Sequence, residues 1–297
     1  MKDINEIHYS VLKNESVSSL NLNPGEVVVD ATVNRAGHAI EIAKKIGSNG
    51  TLIIFDLDKN ALFFSKKKLE SLENSPKIIA IHSNYRFLKN KLLENKIEKV
   101  DKIFADLGLS SQELEISGRG FSFQKDEPLY MTFQSEVNDE TFTAKDLLNN
   151  LSAENLTKIF EAYGDEKKSW KIANAIVEKR ELKKLETTKD LVEIIEEISP
   201  RKSKTHPATK IFQALRIAVN DEYESIKEFV QDGYEMLGEN GIFSIITFHS
   251  GEDRIVKNTF KNFESKNNKQ KKIKPSRKEI LENKRSRSAI LRTIIKK

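Results

Sequence analysis

The chain has 297 residues, 38% hydrophobic and 32% charged, enough for one large domain or two ordinary ones with a proper core. No stretch reaches the roughly 18 apolar residues of a membrane span. The opening MKDINEIHYS lacks a leader's apolar run, and the absence of Cys rules out disulfides and thiolate metal sites, as suits a cytoplasmic protein. The net charge of +5 is uneven. Residues 257–297 carry 15 Lys or Arg against 3 Glu, a balance of +12 that leaves −7 for the rest. A basic end on a mildly acidic body points to a polyanionic partner, with a solvated tail as the competing reading.

In chain order, GEVVVDA reads as a buried strand and AIEIAKKIG as an amphipathic helix stopped at Gly47. TLIIFDLD is a second buried strand ending at Asp56, and NALFFSKKKLESLEN a helix. KIIAIHSNY, RFLKNKLLENKI and VDKIFADLGLSS continue the alternation, the last strand ending at Asp106. Continuously apolar strands alternating with helices predict an α/β fold: a parallel sheet covered on both faces. Residues 112–142 break the pattern with irregular, aromatic sequence, and 143–200 read as wholly helical, with TTKD as a capped helix start. Long helical periodicity then runs from Pro207, followed by a turn and a fifth strand, GENGIFSIITFHS. KNNKQKKIKPSRK reads as a flexible basic loop and RSAILRTIIK as a last strand. Strands one to four and strand five therefore flank an insertion of about 90 residues.

In an open parallel sheet, ligands bind beyond the carboxyl ends of the strands. Those ends bring Asp30, Asp56, His82–Tyr85, Asp106–Ser111 and His249–Ser250 to one rim. An acid in the position of Asp56 accepts both ribose hydroxyls of an adenosine, in a dinucleotide or in S-adenosylmethionine. The turn DATVNRAGHA holds only Gly37, a poor cradle for a pyrophosphate, which disfavours the dinucleotide. Asp106, followed by Gly108 and the hydroxyls of Ser110 and Ser111, suits an acceptor that orients an exocyclic amine, catalysing chiefly by placement. Helix capping is the competing role for these groups. The five His fall at no metal-ligand spacing, there is no P-loop, and FHSGEDRIVK lacks the G-x-S-x-G elbow of a hydrolase.

Several stretches together resemble one family, the MraW/RsmH methyltransferases: RGFSF (119–123), YGDEKKSWKIANAIVE (163–178), HPATKIFQALRIAVNDE (206–222) and FHSGEDRIVK (248–257). The resemblance implies a Rossmann-like class I methyltransferase sheet with an inserted all-helical domain. The expected boundaries are 1–111 with 201–297 for the catalytic domain and 112–200 for the substrate-recognition insert. It implies S-adenosyl-L-methionine as cofactor and the 4-amino group of a cytidine in small-subunit rRNA as acceptor, in free RNA or a 30S particle, with no metal or membrane and room for a homodimer. By motif, the cofactor loop falls on Ala36, Gly37 and His38, the ribose acid on Asp56, an adenine-flanking aromatic on Tyr85, the strand-four acid on Asp106, and a turn Gln of the family on Glu113. RNA contacts are expected from Ser110, Ser111, His249, Lys271, Lys272, Arg285 and Arg287. Phe121, Phe123 and Tyr130 are expected either to stack on a base turned out of its helix or to pack between domains. The family pattern D-G-T-x-G-x-G-G-H-S stands here as DATVNRAGHA, three glycines fewer, and its G-P-L-D-M-R stands as EPLYMT (127–132). These departures keep open a second reading: a relative that binds rRNA or the ribosome with lost or altered activity.

Overall fold

The computed structural model describes residues 10–108, 117–134, 136–201, 206–266 and 268–297. The chain forms two compact units: residues 1–108 with 223–297, and residues 109–222.

The first unit is built on a seven-stranded sheet in the order β3-β2-β1-β4-β5-β7-β6. The strands are β1 Val27–Asp30, β2 Thr51–Asp56, β3 Lys77–His82, β4 Val100–Asp106, β5 Leu237–Thr247, β6 Lys271–Ile273 and β7 Ile290–Ile295. β1 to β5 are parallel, and β7 runs antiparallel to both β5 and β6. Alternation of side chains explains the unbroken apolar runs. Val28, Leu52, Ile54 and Phe104 enter one core, under helices Gly37–Ile46 and Lys59–Glu70. Val29, Ile53, Phe55 and Ile103 enter another, with Phe229 and Phe260 from helices Glu222–Met236 and Ser250–Lys261.

Two segments depart from the expected pattern. The basic stretch read as a loop contains β6, an edge strand of three residues held by β7, and then helix Arg277–Glu282. The periodicity from Pro207 is two helices, Ala208–Asn220 and Glu222–Met236, broken where Asp221 turns left-handed at φ 48°.

The second unit is helical, with helices Ala144–Asn150, Ala153–Gly164, Ser169–Leu182, Thr188–Ile198 and Ala208–Asn220 around Leu148, Leu156, Phe160, Ile172, Leu191 and Leu215. Thr187 caps its helix as the TTKD pattern predicts: Asp190 N–H donates to its hydroxyl, and the Asp190 carboxylate accepts from Thr187 N–H at 3.0 Å. Helix Ala208–Asn220 belongs to this unit, whereas the sequence reading starts the catalytic segment at residue 201. The reason is close packing. A methyl group on Gly164 would come within 2.6 Å of the Lys210 carbonyl, so only glycine lets these two helices approach.

Candidate active site

The carboxyl ends of β1, β2 and β4 place Asp30, Asp56 and Asp106 on one rim, joined by the loop after β1. That loop is held by all three. Thr32 N–H donates to Asp30 Oδ1 at 3.1 Å, and Asp106 N–H donates to Thr32 Oγ1 at 2.7 Å. Asn34 N–H donates to Asp56 Oδ2 at 2.8 Å, while Asp58 N–H donates to the other oxygen at 2.9 Å. Asn34 and Ala36, at two of the glycine-poor positions, adopt left-handed φ of 48° and 62°. Asn tolerates this conformation well, and for Ala it costs on the order of 1–2 kcal/mol. Ala31, at the third position, has no positive φ, so glycine is not needed there. The loop thus keeps the backbone path that glycines would favour.

Gly37 opens helix Gly37–Ile46, whose first turn has no side-chain cap. Its glycine is required by close approach, since a Cβ would lie 1.9 Å from Ser10 Oγ. The next residue, His38, is buried, and its Nε2 lies 3.0 Å from the Val11 carbonyl. A carbonyl only accepts, so Nε2 carries the proton and Nδ1 is turned toward Asp106 Oδ2, 3.8 Å away. The N-terminal segment is clamped over this end of the sheet by Leu12 N–H, which donates to Glu279 Oε1 at 2.6 Å.

Burial and proximity shift these acids strongly. Asp30, 1% exposed, is raised to about 7, chiefly by burial, against the opposing Thr32 hydrogen bond and with the Asp56 charge adding to the rise. Asp106 is held well above the carboxylate range by burial and by the charges of Asp30 and Glu252. Its Oδ1 is buried and has no hydrogen-bond partner among the described residues. A buried acceptor left unpaired is costly unless a ligand's donor completes it. The rim therefore presents an unfilled acceptor, an uncapped helix start and an acid at the end of β2.

The other expected site residues lie on several elements. His249 caps helix Ser250–Lys261: its Nδ1 accepts from Glu252 N–H at 3.3 Å, and its Nε2 lies 3.0 Å from Glu252 Oε1. Its Nδ1 thereby caps the helix beside Glu252, which is 1% exposed, while Nε2 makes no hydrogen bond among the described residues. Tyr85 is half-buried, its ring 5.0 Å from Phe229. Phe121 is buried in the second unit's core and stacks on Phe133, while Phe123 stacks on His206 and meets Phe212 edge-on. Both rings pack on side chains of that unit. Tyr130 is half-buried, and its carbonyl accepts from Ala144 N–H. Ser110, Ser111 and Glu113 lie outside the described residues.

The basic residues do not form one patch. Lys271 shares a cleft with Ile273, Thr293 and helix Lys13–Ser19, whereas Lys272 lies opposite Arg292, whose guanidinium grips Asp253 on the other face. Arg285 and Arg287 precede β7, and Ile290 of β7 pairs with Thr247, so these two stand at the acidic rim's end of the sheet. Exposed Lys274, Arg277 and Lys284 belong to the same crossing. The sequence reading put Asp30 on the rim without a role and missed Thr32 and Glu252 as site members. Glu252 sits three residues after a helix cap, the spacing of a capping box.

A sheet of this order, parallel except at β7 and with this acidic rim, is that of a class I methyltransferase. The model of the MraW methylase family matches residues 5–297, and the chain belongs to that family. Curated relatives agree. "Ribosomal RNA small subunit methyltransferase H" of Dictyoglomus thermophilum is 42% identical over 98% of this chain and 97% of its own. The protein of the same name from Clostridioides difficile is 41% identical over 96% and 97%. That from Ureaplasma urealyticum is 40% identical over 97% and 98%. Among solved structures, an rRNA methylase from Streptococcus thermophilus covers 96% of this chain and 94% of its own at 10% identity, with a TM-score of 0.45. Among the described residues no helix is long and apolar enough to cross a membrane, and no group of three or more His, Asp or Glu could hold a metal.

Proposed function

We propose that the chain transfers a methyl group from S-adenosyl-L-methionine to the 4-amino group of a cytidine in small-subunit rRNA, free or in a 30S particle. The observation that carries this reading is the unpaired, buried Oδ1 of Asp106, beside Asp30 and His38. The uncapped start of helix Gly37–Ile46 suits a carboxylate, and Asp56 suits ribose hydroxyls, so the residues fit the cofactor. When bound, the cofactor supplies a sulfonium-activated methyl group.

Asp106 does the rest by placement and proton transfer. Its free acceptor holds one amine hydrogen and turns the nitrogen lone pair toward the methyl group. An amine nitrogen that gains a methyl group would have to shed a proton. A carboxylate whose proton affinity is raised by burial is suited to take it, and His38 Nδ1 is near enough to share it. The reading of an inactive relative is disfavoured because Asn34 and Ala36 hold the left-handed backbone without glycine.

The test is incorporation of labelled methyl into 30S particles and into free rRNA, both lacking the mark, with mapping of the modified base. Label on a 4-amino group supports the reading, and label elsewhere or none defeats it. Preference for free rRNA would remove the assembled particle as substrate.

A further inference from the structure

Helix Lys59–Glu70 begins three residues after rim acid Asp56 and buries Leu62, Ser65 and Leu69 on its inner face. Its outer face presents Phe63 and Phe64, 60% and 59% exposed. Other exposed apolar side chains of this unit, such as Leu281, do not stand as an adjacent aromatic pair. Spacings of four residues arrange this face as two stripes: Lys59–Phe63–Lys67 and Asn60–Phe64–Lys68. Cations thus flank the rings along the helix, and the Lys67 ammonium lies 4.5 Å from the Phe63 ring centroid. Lys66 pairs with Glu70 at 3.7 Å, but Lys59, Lys67 and Lys68 have no acidic partner among the described residues. An exposed aromatic pair marks an interaction surface, and its cationic frame selects a polyanion with flat apolar groups. Single-stranded nucleic acid has that composition, with bases that stack on rings and phosphates that meet ammonium groups.

We propose that Phe63 and Phe64, framed by Lys59, Lys67 and Lys68, form a second RNA-binding surface that takes unpaired nucleotides of the substrate away from the reacting base. This rests on the rRNA reading above. At 1.5 Å per residue the Phe pair lies roughly 8 Å along the helix from its rim end, so a strand crossing it stays within a few nucleotides of the rim.

The test measures affinity of the full chain for unmethylated small-subunit rRNA over a salt series, with melting curves of each variant to verify folding. Phe63→Ala with Phe64→Ala is expected to weaken binding on the order of tenfold or more with the salt slope kept. Lys67→Glu with Lys68→Glu is expected to flatten the salt slope by roughly one to two. Both variants should retain cofactor affinity, since these side chains lie outside the rim. Wild-type affinity in both variants overturns the proposal while leaving the rRNA reading intact. So does a Phe double variant that abolishes self-association in ultracentrifugation yet binds RNA normally. A wild-type chain that holds no rRNA at all overturns both.

Discussion

The imidazole Nδ1 of His38 lies 3.8 Å from Asp106 Oδ2, with the ring's other nitrogen committed to the Val11 carbonyl. At that distance the two groups are in electrostatic contact without a hydrogen bond, and a modest closure on ligand binding would let a proton pass between them. Asp106→Asn keeps an acceptor for the amine but cannot take its proton. It should lower kcat about 100-fold or more while cofactor affinity moves little. His38→Gln should cost less, and the double variant should be no worse than Asp106→Asn alone, because the residues act as one unit. Steady-state kinetics with separate calorimetry checks this. Additive losses would place the histidine outside the proton path.

Asp30 sets a pH dependence of stability. Its carboxyl rises from an ordinary 3.8 to about 7 on folding, chiefly through burial. The folded chain therefore binds the extra proton between these values. Stability falls as pH rises through that window, and the loss is complete above it. Asp30→Asn has no such term and keeps the acceptor for Thr32 N–H. Its melting temperature relative to wild type should climb between pH 5 and pH 8. A difference that stays level across the range would contradict the assignment.

Asp56 accepts two backbone N–H groups on behalf of the loop. Asp56→Asn turns one acceptor into a donor facing a donor. Cofactor affinity should drop on the order of tenfold to a hundredfold, the worth of a charged hydrogen bond. Calorimetric titration settles it, and an unchanged Kd would exclude Asp56 from the cofactor's grip.

Gly37 and Ser10 form a testable pair. Gly37→Ala drives a methyl into Ser10 Oγ, whereas the Ser10 Cβ would sit at a tolerable 3.3 Å. The single substitution should destabilise by about 1–3 kcal/mol, and most of that should return in the Ser10→Ala background. Denaturant melts of the four proteins give the coupling directly. Zero coupling would mean that the N-terminal segment does not press on the loop.

The sheet and its acidic rim were legible because buried parallel strands leave no polar alternation and end abruptly at Asp56 and Asp106. Where the chemistry is long-range, the sequence was silent. β6 has three residues, two of them Lys, and exists only by pairing with β7. The unit boundary rests on the left-handed turn of Asp221, invisible in a helical periodicity that continues on both sides. Leu12 meets Glu279 across 267 residues of chain. The fate of Phe121 and Phe123 turned on core geometry, since an aromatic motif reads the same whether its rings face a base or a neighbour.

β7 lies inside the sheet, between β5 and β6, and the carbonyl of Lys296, next to the last residue, still accepts a hydrogen bond from Asn240 N–H. Strand β7, late in the chain, is therefore an interior part of the catalytic scaffold. The chain supplies every rim acid long before it supplies the strand that completes the sheet, so the finished scaffold depends on pairing between segments far apart in sequence.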